Sequence, residues 1–113
     1  MSAINAISID KFIRLIGTPT CPVLIDVRTD DDVGADPRLI PGAVRRSHEA
    51  VGEWASQLSG PQVVVACRQG RALSEGVAAT LRARGINAVI LEGGTEAWAA
   101  AGLPAVPLAR LPR

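Results

Sequence analysis

A cysteine stands directly after an apolar run, and a polar segment with a glycine follows it. The stretch reads VVVACRQGRALSEG, Val63 to Gly76. The thiolate form of cysteine is a nucleophile, and nearby positive charge favours it. Arg68 and Arg71 carry such charge, and a helix predicted to start near Ala72 adds unpaired N–H groups and the positive end of its dipole. Gly70 lets the backbone curl, so that several N–H groups could point at one anion.

This combination predicts a nucleophilic Cys67 inside a cradle for an anion. A phosphate, a sulfate-like group or thiosulfate would suit such a cradle. The alternative is a structural role, because a cysteine after an apolar run is often just a small buried hydrophobe. The two arginines and the glycine within the next four residues favour the functional interpretation.

The other residues that could do chemistry give weaker signals. Cys21 is expected at the opposite end of the sheet from Cys67, too far away for a disulfide. His48, the only histidine, is expected to be solvated or to cap a helix. One histidine and two distant cysteines do not predict a metal site. The acidic run 30–32 is expected to face solvent in a loop, and EGG at 92–94 is expected to be a turn.

The elements that position the loop follow from apolar spacing. Continuous apolar strands alternate with amphipathic helices, which predicts a three-layer α/β domain with a central, mostly parallel sheet and helices on both faces. Ligands in such sheets bind outside the carboxyl ends of the strands, where Cys67 is expected. The predicted strands are Val23–Val27, 62–67 and Ile86–Leu91, and the predicted helices are Ile9–Ile16, His48–Leu58, one from about Ala72 that stops at Gly85, and a last one that contains Trp98.

Several boundaries follow from single residues. Ser8, Ser47 and Thr95 are predicted helix caps. In the first helix, Ile9, Phe12, Ile13 and Ile16 are expected to form one buried stripe. The acidic stretch RTDDDVGADPRLIPG is expected to be irregular and to end in a turn at Pro41–Gly42.

Composition limits the classes of function. The chain has 113 residues, which suits one domain, and its net charge is +1 from 12 basic and 11 acidic residues. This balance argues against a nucleic-acid or membrane-surface role carried by bulk charge. No apolar stretch approaches the roughly 18 residues of a membrane span. No secretory signal is visible, so a cytoplasmic location is expected.

Four segments occur together in a characteristic order: VLIDVR (23–28), IPGA (40–43), VVVAC with its glycine-containing loop, and LEGGTEAWAAAGLP (91–104). With them the chain resembles a single-domain rhodanese, a sulfurtransferase, over about residues 6–104. The implied domain covers residues 1–113, with residues 105–113 as an irregular, proline-containing tail. IPGAVRRSHEAV and CRQGRALSEGVAATLRARG further resemble the branch of small bacterial rhodanese-like proteins sometimes associated with chromate resistance.

The resemblance implies a ping-pong reaction without a cofactor. Cys67 would take a sulfur from a small anionic donor such as thiosulfate, become a persulfide, and pass the sulfur to a thiol or cyanide. Arg68 and Arg71 would attract the donor. The implied protein is a monomer or weak homodimer. Backbone N–H groups would hold the persulfide and define the substrate-binding loop: Arg68, Gln69, Gly70, Arg71, Ala72 and Leu73.

The loop departs from the usual family pattern. That pattern has an arginine five residues after the cysteine and a serine six after, where this chain has Ala72 and Leu73, with Ser74 one step later. The sequence therefore leaves open whether the loop has six or seven residues. Related phosphatases and arsenate reductases have the longer loop, and those phosphatases carry an arginine at the position of Leu73. An oxyanion enzyme and a non-catalytic binding module stay as alternatives to sulfur transfer.

Overall fold

The structure, a computed structural model, describes residues 5–110. Its main sheet has five strands, all parallel, in the order β1-β6-β5-β2-β4. A second, antiparallel pair is formed by β3 and β7. The strands are β1 (Ala6–Ile7), β2 (Val23–Asp26), β3 (Arg38–Leu39), β4 (Val44–Arg45), β5 (Val63–Ala66), β6 (Ala88–Leu91) and β7 (Val106–Pro107).

Helices cover both faces of the main sheet and bury alternate residues of β5. Val63 and Val65 face a cluster with Trp54 and Leu81, and Val64 faces a second cluster with Phe12 and Trp98. The predicted three-layer α/β architecture is thus confirmed. The helices are α1 (Ile9–Leu15), α2 (Asp30–Ala35), α3 (Val51–Trp54), α4 (Ala72–Ala83) and α5 (Gly94–Ala100), with short 3-10 segments at His48–Ala50, Ala55–Gln57 and Leu108–Arg110.

Two of the predicted helix caps are confirmed. The Ser8 hydroxyl accepts a hydrogen bond from the N–H of Lys11 at the start of α1. The Ser47 hydroxyl accepts one from Glu49, but the helix that follows is a mixture of 3-10 and α turns. The turn at Pro41–Gly42 also forms as predicted.

The predicted buried stripe of α1 is wrong in half of its members. Ile13 and Ile16 are 37% and 49% exposed. The face that packs on the core is rotated and runs through Ile9, Phe12 and Leu15. The reason is that α1 is only two turns long and ends at Leu15, so Ile16 lies beyond the helix, and Phe12 is the one buried residue of α1.

The acidic stretch after β2 is not irregular, because residues 30–35 form α2. The Thr29 hydroxyl caps this helix by accepting from the N–H of Asp32. Three aspartates occupy the first turn, where negative charge is favoured by the helix dipole. Apolar spacing could not predict α2, because Val33 is its only buried residue.

The last helix and the tail of the chain differ from the prediction. Gly93, in the left-handed conformation, caps α5, while Thr95 is buried inside it. The tail is not wholly irregular, because β7 pairs with β3 and a 3-10 turn follows; residues 111–113 lie outside the described range. In residues 5–110 no helix has the length and apolar character needed to cross a membrane.

Candidate active site

Cys67 lies at the carboxyl end of the strand β5, as predicted. This strand is in the middle of the sheet, between β2 and β6, and its last residue pairs with Asp26 of β2. The Cys67 side chain is buried, at 5% exposure of the residue, and its thiol is free. Cys21, also a free thiol, precedes the amino end of β2. The fold therefore holds the two cysteines at opposite ends of parallel strands.

A buried hydroxyl contacts the thiol. Cys67 Sγ donates to Ser74 Oγ at 3.1 Å, and Ser74 Oγ donates to the carbonyl of Arg71 at 3.1 Å. Because a hydroxyl rotates freely, the same Ser74 can turn and donate to Sγ when the cysteine is a thiolate. The sequence placed Ser74 one step beyond the family position without assigning it a role. Its location in the first turn of α4, facing back to Cys67, is what brings the two atoms together.

The loop after Cys67 offers unused hydrogen-bond donors. Within the described residues, no protein acceptor is bonded to the backbone N–H groups from Arg68 to Leu73. The residue before α4, Arg71, does not cap the helix with its side chain. The first N–H groups of a helix carry partial positive charge, and an anion beside them is stabilised. The loop can therefore bind a negatively charged atom near Sγ.

The EGG turn, predicted only as a connection, fixes the shape of this loop. The carbonyl of Cys67 accepts from the N–H of Thr95, and that of Arg68 accepts from Glu96, both at 2.9 Å. A Cβ on Gly70 would lie 2.6 Å from the carbonyl oxygen of Leu91, and one on Gly94 would overlap the Cys67 carbonyl oxygen. Both glycines also have positive φ. They are required for this close approach of two backbones.

The two arginines of the loop have different surroundings. The Arg68 guanidinium forms ion pairs with Glu96 at 3.1 Å and with Asp32 at 3.5 Å. Arg71 is exposed and makes no ion pair among residues 5–110. Of the two charges expected to attract an anion, only that of Arg71 is uncompensated.

A pocket of about 260 Å³ opens beside the thiol. Five of the six loop residues predicted to bind substrate line it, while the sixth, Gly70, packs against the turn after β6. Asp32 also lines it, although the sequence placed its acidic run in a solvated loop. The lining residues are Asp32, Cys67, Arg68, Gln69, Arg71, Ala72 and Leu73.

His48 lies in another place. It lines a larger cavity of about 420 Å³ with Arg45 and Arg46, and its ring lies 3.9 Å from a Glu49 carboxylate oxygen. Cys67 does not line this cavity. Among the residues that the structure describes, no three His, Cys, Asp or Glu side chains are grouped to hold a metal ion.

A buried ion pair supports the neighbouring segment. Arg28 Nε lies 2.9 Å from an Asp26 carboxylate oxygen, and both side chains are 1% exposed. The same guanidinium donates to the carbonyls of Asp36 and Arg38. This pair joins the carboxyl end of β2 to the segment between α2 and β3, and so helps to place α2 at the rim of the pocket.

The family model of the rhodanese-like domain matches residues 8–101, and the chain belongs to this family. The search of curated proteins finds no match. The family is therefore established, while the chromate-associated branch stays a prediction.

Solved structures share the fold. A thiosulfate sulfurtransferase from Pseudomonas aeruginosa matches 95% of this chain and 20% of its own, with a TM-score of 0.79 and 26% identity. A rhodanese-related protein from Thermoplasma volcanium matches 90% of this chain and 97% of its own, with a TM-score of 0.76 and 22% identity. A protein from Rhodopseudomonas palustris described as a possible tyrosine phosphatase matches 89% of this chain and 83% of its own, with a TM-score of 0.74 and 22% identity. The last two likenesses concern the fold alone.

Proposed function

We propose that this protein is a sulfurtransferase that carries sulfane sulfur as a persulfide on Cys67. The observation that carries the proposal is the free Cys67 thiol beside a pocket whose loop has unbonded N–H groups from Arg68 to Leu73. Membership of the rhodanese-like family and the fold shared with a thiosulfate sulfurtransferase also support it.

The reaction has two balanced steps. The Cys67 thiolate attacks the outer sulfur of thiosulfate, a sulfur–sulfur bond forms at Sγ, the donor's own sulfur–sulfur bond breaks, and sulfite leaves with the electron pair. A thiolate or cyanide then attacks the outer sulfur of the persulfide, and the Cys67 thiolate is the leaving group. No general base is needed once the thiol is ionised, and no cofactor enters either step.

Each loop residue has a role in this scheme. The N–H groups of Arg68, Gln69, Gly70, Arg71, Ala72 and Leu73 would hold the charged outer sulfur of the persulfide. The Arg71 guanidinium would attract the anionic donor, since Arg68 is already paired with two carboxylates. The Ser74 hydroxyl would donate to the Cys67 thiolate that attacks in the first step and leaves in the second. A cytoplasmic location and a monomeric or weakly dimeric state remain predictions.

The test is the intact-protein mass before and after thiosulfate, followed by cyanide. We expect a gain of one sulfur atom that cyanide removes as thiocyanate, and no gain in Cys67→Ser. Cys21→Ser is the matched control and should gain the sulfur like the wild type. If the wild-type mass stays unchanged while Cys67 remains a free thiol, the proposal is wrong.

The second candidate is an oxyanion enzyme, a phosphatase or arsenate reductase, that uses the same cysteine. It is suggested by Ser74, seven residues after Cys67, and by the longer loop that this spacing allows. Leu73 supplies no charge where those phosphatases have an arginine, and Asp32 brings a carboxylate to the pocket. Turnover of an aryl phosphate or of arsenate without sulfur transfer would favour this candidate, and inert thiol chemistry would favour a binding module.

A further inference from the structure

Asp32 brings a negative charge to the pocket that neither the family resemblance nor the proposed reaction accounts for. Its side chain is 27% exposed, it lines the pocket together with Cys67, and it lies 3.5 Å from the Arg68 guanidinium. Glu96 pairs with the same guanidinium from the other side but does not line the pocket. The pocket is therefore lined by two arginines and one carboxylate, and with Glu96, which pairs with Arg68 outside the lining, the four charges cancel.

From this charge balance we infer that Asp32 is a specificity-determining residue, which makes the site favour singly charged sulfane donors over the thiosulfate dianion. The inference rests on the proposed sulfur transfer for its substrates. The physical effect it describes, a carboxylate that opposes negative charge beside Cys67, does not depend on that reaction.

The attraction of a donor depends on its charge and on the charge around the thiol. In water, removing one negative charge at ~6 Å from an anionic reagent raises its association with the site roughly threefold per unit of reagent charge. The factor is larger at the lower effective dielectric constant near a protein surface. The change in interaction free energy is twice as large for a dianion as for a monoanion, and it is zero for a neutral reagent. The gain should fall as salt screens the charges.

Two sulfane donors of similar shape separate charge from chemistry. Methanethiosulfonate carries one negative charge, because a methyl group replaces one oxygen of thiosulfate. With either donor the Cys67 thiolate forms a bond to the outer sulfur and the donor's sulfur–sulfur bond breaks. Sulfite leaves from thiosulfate and methanesulfinate leaves from methanethiosulfonate, so charge and atoms balance in both.

The Asp32→Asn variant removes the charge and keeps the shape of the side chain. The expected result is an increase of about three- to tenfold in the ratio of kcat/KM for thiosulfate to kcat/KM for methanethiosulfonate at low salt. Asp31→Asn is the matched control, since it removes the same charge from the same helical turn without lining the pocket. Glu96→Gln tests whether release of Arg68 alone is sufficient, and its effect should be smaller than that of Asp32→Asn.

A second measurement does not use sulfur transfer. Iodoacetate and iodoacetamide alkylate Cys67 and differ by one negative charge. In Cys21→Ser, which leaves Cys67 as the only thiol, adding Asp32→Asn should raise the ratio of the iodoacetate rate to the iodoacetamide rate about threefold or more. Adding Asp31→Asn should change it less.

The outcomes separate the two proposals. An unchanged alkylation ratio in Asp32→Asn, or an equal rise in Asp31→Asn or Glu96→Gln, overturns the role of Asp32. If the wild type forms no persulfide with either donor while Asp32→Asn still raises the alkylation ratio, sulfur transfer is overturned as the function and the charge effect of Asp32 stands. A rise in both ratios that disappears at high salt supports the inference.

Discussion

Ser74 is the residue whose hydroxyl lies closest to the proposed chemistry, 3.1 Å from Sγ of Cys67 and fully buried. In Ser74→Ala the Cys67 thiolate would lose a hydrogen-bond donor. We expect alkylation of Cys67 by iodoacetamide at neutral pH to slow by roughly two- to tenfold, which corresponds to one ordinary hydrogen bond. The measurement is the second-order rate constant in a Cys21→Ser background.

The control for this substitution lies on the same helix. Thr80 also bonds a backbone carbonyl of α4, that of Gly76, but its side chain is exposed and away from the loop. Thr80→Ala should leave the alkylation rate unchanged. If Ser74→Ala alkylates as fast as Thr80→Ala, the hydroxyl does not assist the thiolate.

Gly94 and Gly102 form a second comparison at the level of the residue, since both have a positive φ. A Cβ at Gly102 would meet nothing within 4 Å, so Gly102→Ala should cost about 1–2 kcal/mol from backbone strain alone. A Cβ at Gly94 would overlap the carbonyl oxygen of Cys67, so Gly94→Ala should cost roughly 3 kcal/mol or more. Urea unfolding of both variants checks this. Equal losses would mean that the loop can move away from the turn.

At the scale of elements, Arg28 joins β2 to the segment that leads into β3. Arg28→Met would leave the carboxylate of Asp26 buried without its partner, which typically costs about 3–5 kcal/mol in free energy of unfolding. Arg38→Met is the matched control, because it breaks the exposed pair with Asp36, which water screens, and should cost far less. Thermal and urea unfolding measure both, and a loss in Arg28→Met no larger than in Arg38→Met would contradict the prediction.

The exposed pair in this control is formed in the folded state. The Arg38 guanidinium donates to the Asp36 carboxylate and lowers the pKa of Asp36 below its ordinary value. A carboxylate with a lowered pKa stabilises the fold above its unfolded pKa of about 3.9 and loses that effect as pH falls through the folded pKa. The control therefore belongs at neutral pH, well above the lowered pKa of Asp36, where the Asp36–Arg38 pair is charged.

For the whole molecule, the parallel direction of the strands keeps the two thiols apart. Val23 pairs with Val63 and Asp26 with Ala66, so Cys21 and Cys67 are separated by the length of a strand, about 13 Å for four residues. We expect mild oxidation to form no Cys21–Cys67 disulfide within one chain. Peptide mapping without reductant tests this, and a peptide pair linked through these residues in monomeric protein would contradict the topology.

The sequence by itself determined the class of fold and the place of Cys67. The apolar runs at 23–27 and 62–67 and the helix from about Ala72 that stops at Gly85 follow from local patterns, which are sufficient because burial follows the period of the backbone. The position of Cys67 follows directly, since it is the residue after a strand. Short elements such as β1 and α2 were not predicted, because each has a single buried residue and one residue defines no periodic pattern.

Only the tertiary structure decided what surrounds the thiol. Arg68 pairs with Glu96, 28 residues away in the chain, and with Asp32 from another helix. The carbonyl of Cys67 lies close to Gly94 only because β5 and β6 are neighbours in the sheet. Charge compensation and close backbone approach depend on distances between elements, whereas the pattern of a sequence records only distances along the chain.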